Sequence, residues 1–220
     1  ELGNVVTVSH GVEILPHPTA DSDHDTHGSD GHDVHVHAKG DPHTWFSPLN
    51  VMIWVENIER ALASADPERR DQYTETADAY RQQLRALDEE IRALFEPIPR
   101  ENRKLVVDHA ALGYFARDYD FQLLGAVIPS TTDQAEPSAQ AIAELVRTVE
   151  AESIPAIFVG GTASQGLRNL VNTVAQEVER EITVHTLLTG SLTPPGTPGD
   201  TYIGFSRYNA ETIARGLSNR

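Results

Sequence analysis

From Lys104 onward short apolar runs alternate with helical patterns, and this alternation limits the fold more than any other feature of the chain. Runs at 104–107, 122–128, 155–159 and 182–187 are rich in Val, Ile and Leu. Segments at 110–119, 138–151 and 164–178 separate them, with apolar residues three and four apart, such as Ile142, Leu145, Val146 and Val149. Continuous apolar strands divided by amphipathic helices predict a four-stranded parallel sheet, covered on both faces and joined by right-handed crossovers. A Gly/Pro-rich loop, GSLTPPGTPGDT, then precedes a closing helix near 208–217.

The residues before Lys104 have a different rhythm. Ser47-Pro48 is a helix start, with a hydroxyl cap followed by Pro where its missing N–H costs nothing. Asp66-Pro67-Glu68 repeats the signal. Tyr73, Ala77, Tyr80, Leu84, Leu87, Ile91 and Leu94 then form a single stripe until Pro97 and Pro99 stop it. The pattern predicts a helix over 67–95, roughly 40 Å long at about 1.5 Å per residue. Such a helix either spans two lobes as a rigid strut or packs along one. Ahead of it, residues 4–8 and 12–15 read as short strands around a turn at Gly11.

Residues 16–41 form a loop longer than the ~12–15 residues usual for structureless connections. It carries His24, His27, His32, His35 and His37 among Asp21, Asp23, Asp25, Asp30 and Asp33, and runs into His43 in GDPHTW. Imidazole and carboxylate are ligands for Zn(II) and its first-row neighbours, and a tract this polar has no packing purpose. Pro42 stiffens the backbone before His43, and Trp45 can wall off solvent.

Composition narrows the alternatives. Lys+Arg of 17 against Asp+Glu of 33 leaves a net charge of −16, which repels nucleic acid and anionic membranes and attracts cations. The absence of cysteine excludes thiolate sites, a thiol nucleophile and disulfides. No apolar run approaches the ~20 residues of a membrane span, and the first residues lack the pattern of a signal peptide. Neither HExxH nor GxSxG occurs. Asp108 and His109 are adjacent on a strand and point to opposite faces, so they do not form an orienter–base pair.

His109 directly follows KLVVD, at the carboxyl end of a strand, where open α/β sheets bind ligands. Asp200 lies in a loop beyond the last strand, although Gly-Asp is also an ordinary turn pair. His10, His17 and His185 read as structural or surface residues.

Several strings, in order, resemble the solute-binding proteins of zinc and manganese ABC importers, the cluster A-I or ZnuA/TroA-like family. They are GDPHTWFSP, DHAALGYFARDYDF, EPSAQAIAELV and GDTYIGFSRYNAETIARGL. The resemblance implies two α/β lobes joined by a long rigid helix, with the metal between them. Residues 1–65 would then be the end of the first lobe, with the His-rich loop at about 17–39. Residues 66–96 would be the linking helix and 97–220 the C-terminal lobe. By position, the resemblance makes His43, His109 and Asp200 metal ligands, with the fourth, a first-lobe His, upstream of Glu1. It also implies Zn(II) as cargo, with Mn(II) as the competitor, and a monomer that serves a membrane ABC permease outside the cytoplasm. His24, His27, His32, His35 and His37 would form an auxiliary low-affinity site. One departure is FVGG at 158–161, where relatives often carry an acidic residue. The alternatives are a metal-dependent hydrolase built on the same His/His/Asp cluster, and a surface adhesin or zinc buffer without a permease.

Overall fold

A computed structural model describes residues 5–16, 40–128, 139–178 and 181–218. Two helices lead into an alternating α/β unit. Helix α1, Pro48–Ala65, starts where Ser47 Oγ accepts the Asn50 N–H at 3.1 Å, with Pro48 in its first turn. A 3-10 turn at Pro67–Arg69 leads into α2, Arg70–Phe95. Within α2, Ala77, Leu84, Leu87 and Ile91 are buried, as the stripe predicts, but at its end Phe95 is fully buried and Leu94 only partly. A strict four–three repeat lags a 3.6-residue turn, and by the last turn the inward position has moved one residue on.

Beyond a 3-10 turn at Arg100–Asn102 come β1 (Lys104–His109), α3 (Gly113–Asp118), β2 (Gln122–Ile128), α4 (Ala139–Ala151), β3 (Ala156–Gly160), α5 (Gln165–Glu177), β4 (Thr183–Leu187) and α6 (Tyr202–Ser218). The strands form one parallel sheet in the order β2-β1-β3-β4. Alternating residues feed two cores. Leu105, Val107 and Phe158 pack with α2, α3 and α6 on one face, while Val106, Ile157 and Val159 pack with α4 and α5 on the other. Edge strand β4 is less covered than the sequence suggests, since Val184 is 38% exposed.

The first core does not stop at the sheet. It runs through Leu84, Leu87, Ile91 and Phe95 of α2 to Val51 of α1 and Phe46. The segment that carries His43 is therefore packed against the α/β unit.

The strands expected near the amino terminus do not form. Residues 5–16 have a turn at 8–11, with Gly11 at φ +86°, and no strand. Their carbonyls are used differently: Asn57 Nδ2 donates to Val8 O at 2.7 Å and to His10 O at 2.8 Å. A β-branched run with no neighbouring strand to pair with has no ladder to join. The closing helix begins at Tyr202, six residues before the expected start, and α3 is shorter than its pattern because 110–112 is used as connection.

Gly216 sets how closely α6 approaches the sheet. A Cβ there would lie 2.9 Å from Phe158 Cζ and 3.0 Å from His185 Cδ2, and Phe158 is fully buried. The half-buried His185 ring stacks on Phe158 at 5.8 Å, and its Nε2 bonds Thr183 Oγ1 at 2.9 Å, so neither neighbour has room to retreat. Alanine usually gains ~1 kcal/mol over glycine in a helix, whereas overpacking costs ~1–3 kcal/mol. Gly216→Ala is thus expected to lower stability by up to about 2 kcal/mol, read as a shifted urea midpoint with an unchanged slope.

Candidate metal site

The sheet order places the site. From β1 the chain passes to β2 on one side, while β3 lies on the other, so the switch point falls between the carboxyl ends of β1 and β3. Parallel α/β sheets bind ligands in that crevice. His109 is the last residue of β1, with its Cα opposite Ile128 of β2. Gly160 ends β3. The two strand ends are tied by the buried Asp108 carboxylate, whose Oδ2 accepts the Gly160 N–H at 2.9 Å. A Cβ at Gly160 would lie 2.8 Å from Thr189 Oγ1 and 3.1 Å from Asp108 Oδ2. The bare glycine of FVGG therefore matches the position of Asp108 on the neighbouring strand.

His43 is held beside these ends by its own turn. Asp41 Oδ1 accepts both the His43 backbone N–H at 2.9 Å and His43 Nδ1 at 2.7 Å. A carboxylate accepts only, so the imidazole proton at this contact sits on Nδ1, and coordination through this ring has to use Nε2. Asp41 is 1% exposed and His43 8%. The Trp45 ring meets His43 edge-on at 5.3 Å and forms the wall expected of it. Helix α3, which starts four residues beyond His109, fastens this turn from the other side: Tyr114 Oη donates to Asp41 O at 2.7 Å, and Ser47 Oγ bonds the Asp118 carboxylate.

The loop after β4 reaches the same place. Asn209 of α6 clamps its start, accepting the Leu188 N–H and donating to Leu188 O, each at 2.8 Å. At its far end Tyr202 Oη donates to Trp45 O at 2.9 Å. Burial pushes the Tyr202 phenol up, which keeps it protonated as a donor. Between the two lies a cleft of about 330 Å³, walled by Trp45, Leu192, Tyr202 and Phe205.

Asp200 sits two residues before Tyr202, but its carboxylate is engaged in its own turn. Oδ2 accepts the N–H of Gly196, which is at φ +83°, at 2.8 Å. The turn reading of Gly-Asp is thus realised, and metal ligation by Asp200 would require that bond to be shared or given up. His24, His27, His32, His35 and His37 lie outside the described residues, as does the side chain of His109. Among the described residues no group of three or more His, Asp or Glu side chains is arranged to hold a metal ion. The structure thus brings together the loops that carry His43 and Asp200 and the strand end that carries His109, while the described side chains do not form a ligand cluster.

Sequence reasoning passed over Asp41, Asn209 and Tyr202. The spacing in Asp41-Pro42-His43 could have revealed the first, because an Asp two residues before another residue commonly bonds its backbone N–H. The other two act across 21 and 157 residues of chain, and no local signal marks them.

A four-stranded parallel sheet with flanking helices and with loops gathered at its switch point defines an α/β protein. The family described as zinc-uptake complex component A, periplasmic (ZnuA), matches residues 1–216, and the chain belongs to that family. It is a family of solute-binding proteins for metal transport, not of enzymes, and membership sets aside the hydrolase reading. Similar curated proteins include the iron-binding protein YfeA of Yersinia pestis, 31% identical over 80% of this chain and 55% of its own length. The zinc-binding lipoprotein AdcA of Streptococcus pneumoniae is 34% identical over 88% of this chain and 36% of its own. The manganese-binding lipoprotein MntA of Halalkalibacterium halodurans is 31% identical over 81% and 57%. The chain therefore spans about half the length, or less, of these relatives. Among solved structures, the periplasmic zinc-binding protein TroA of Treponema pallidum superposes with a TM-score of 0.72 at 30% identity, over 81% of this chain and 64% of that one. The Mn-bound periplasmic metal-binding protein of Candidatus Liberibacter asiaticus gives 0.77 at 25% identity, over 97% and 71%.

Proposed function

We propose that this chain is the metal-holding part of an extracytoplasmic solute-binding protein that captures Zn(II), in competition with Mn(II), and hands it to a membrane ABC permease. The ligands on this chain are His43, His109 and Asp200. The observation that carries the proposal is the buried Asp41–His43 pair beside the switch point, in a member of a metal-uptake family. Imidazole and carboxylate without sulfur form a donor set suited to Zn(II), and one that Mn(II) can also use. The relatives bind zinc, manganese or iron by name, so metal preference is a property to be measured on this chain. Calorimetric titration with Zn(II), Mn(II) and Fe(II) in turn tests it. A single tight zinc site is expected, with manganese weaker; tight manganese with weak zinc would reverse the assignment of cargo.

In this reading α2 is the linking helix, residues 97–220 are the C-terminal lobe, and residues 1–65 end the first lobe. The His/Asp tract is a feeder that collects zinc loosely and passes it to the deeper site. Deleting residues 21–38 is expected to lower the number of zinc ions bound while leaving the tightest affinity unchanged. If the tightest site disappears with the tract, then the tract supplies a ligand and is not a feeder.

A further inference from the structure

We infer that Asp41 is a positioning residue whose negative charge, delivered through the His43 ring, is part of how the site holds a divalent cation. This rests on the reading of His43 as a ligand, and the test below separates the two.

Asp41 is fixed from every side. Its backbone N–H donates to Leu15 O at 2.8 Å, and its carbonyl accepts from Tyr114 Oη at 2.7 Å. Oδ1 holds both the backbone and the ring of His43 across Pro42, whose φ is locked. The other oxygen, Oδ2, is buried and has no hydrogen-bond partner among the described residues. A Cβ on Gly113 would lie only 2.6 Å from it, so α3 begins with a glycine where this oxygen needs room.

A buried carboxylate with one oxygen unpartnered is expensive, and the turn alone does not require it. Asparagine would accept the same two bonds through one oxygen and make the same turn without the charge. What asparagine would lack is an anion against the far side of the imidazole. A carboxylate there fixes the tautomer and raises the basicity of the opposite nitrogen toward a metal. The charges balance as well. Two neutral imidazoles and one carboxylate leave a divalent ion with a single positive charge, and the buried Asp41 carboxylate cancels it. The cation thus offsets the cost of the orphaned oxygen, and the carboxylate strengthens its grip.

The test compares zinc affinities of Asp41→Asn, His43→Ala and the double variant by competition with a chelator, alongside apo thermal stability. Asp41→Asn should bind zinc 10–100-fold more weakly, the range for loss of a ligand's outer partner, while apo stability is kept or raised. In the His43→Ala background it should add nothing. Wild-type affinity in Asp41→Asn, or an equal loss in the His43→Ala background, would overturn the inference while leaving His43 as a ligand. Wild-type affinity in His43→Ala would overturn the ligand reading itself. Should Asp41→Asn fail to fold, the 15N shifts of the unsubstituted protein decide. Protonated Nδ1 with Nε2 on zinc is expected; zinc on Nδ1 would end the proposal.

Discussion

His43→Ala is expected to weaken zinc binding by more than about 100-fold, and to lower the stability of the metal-free protein as well. Losing an outer partner of a ligand typically costs about 10–100-fold, and losing the ligand itself should exceed that. The structure adds a cost to the metal-free protein. In the variant Asp41 keeps its backbone bond to residue 43 but loses the 2.7 Å bond to the ring, so an uncompensated anion remains in the emptied space. Calorimetric titration of the variant beside the wild type checks this. Equal affinities would remove the central claim about the site, whichever metal is the cargo.

The second large effect is on the fold. Phe95 closes α2 and is fully buried. Its ring meets Phe121 at 4.8 Å, Phe115 at 5.7 Å and Tyr119 at 6.0 Å, the first two edge-on. The neighbours belong to α3 and the connection from it to β2, so the cluster joins the long helix to the sheet. Phe95→Ala should cost about 3–5 kcal/mol, because rings packed around one another cannot collapse into the space left behind. Against a typical total of ~5–15 kcal/mol this is a severe loss, read as a lower urea midpoint. Bound metal should restore part of it: a ligand present at about 100 times its dissociation constant adds ~2.7 kcal/mol. Zinc should therefore raise the midpoint of Phe95→Ala, whereas in His43→Ala the same concentration should have little effect. A Phe95→Ala protein as stable as wild type would show that the aromatic cluster does not join helix to sheet.

Much of this was legible in the residues. The strands from Lys104 on were readable because a parallel sheet buried on both faces has to be continuously apolar, and the helices between them because their stripes must face it. The long helix was readable from its stripe and from the prolines that stop it. What failed is instructive. Val5, Val6 and Val8 carry strand propensity, yet a strand exists only through a partner, and the Val8 and His10 carbonyls instead accept hydrogen bonds from Asn57 Nδ2. Asp41 looked like a flank of Pro42, and its role appears only once its burial and both bonds to His43 are known.

The chain by itself determined the α/β class, the start of α1 and the end of α2, the kinds of donor atoms available and the absence of thiolate among them. All of these follow from local periodicity, capping chemistry and composition. Only the tertiary structure decided that the strands order as β2-β1-β3-β4, which puts the crevice between His109 and Gly160. It alone decided that Tyr114 and Tyr202 pin the His43 turn from two sides. Those outcomes depend on groups up to 157 residues apart meeting within hydrogen-bond distance, and nothing in a local stretch of sequence encodes which distant partner will arrive.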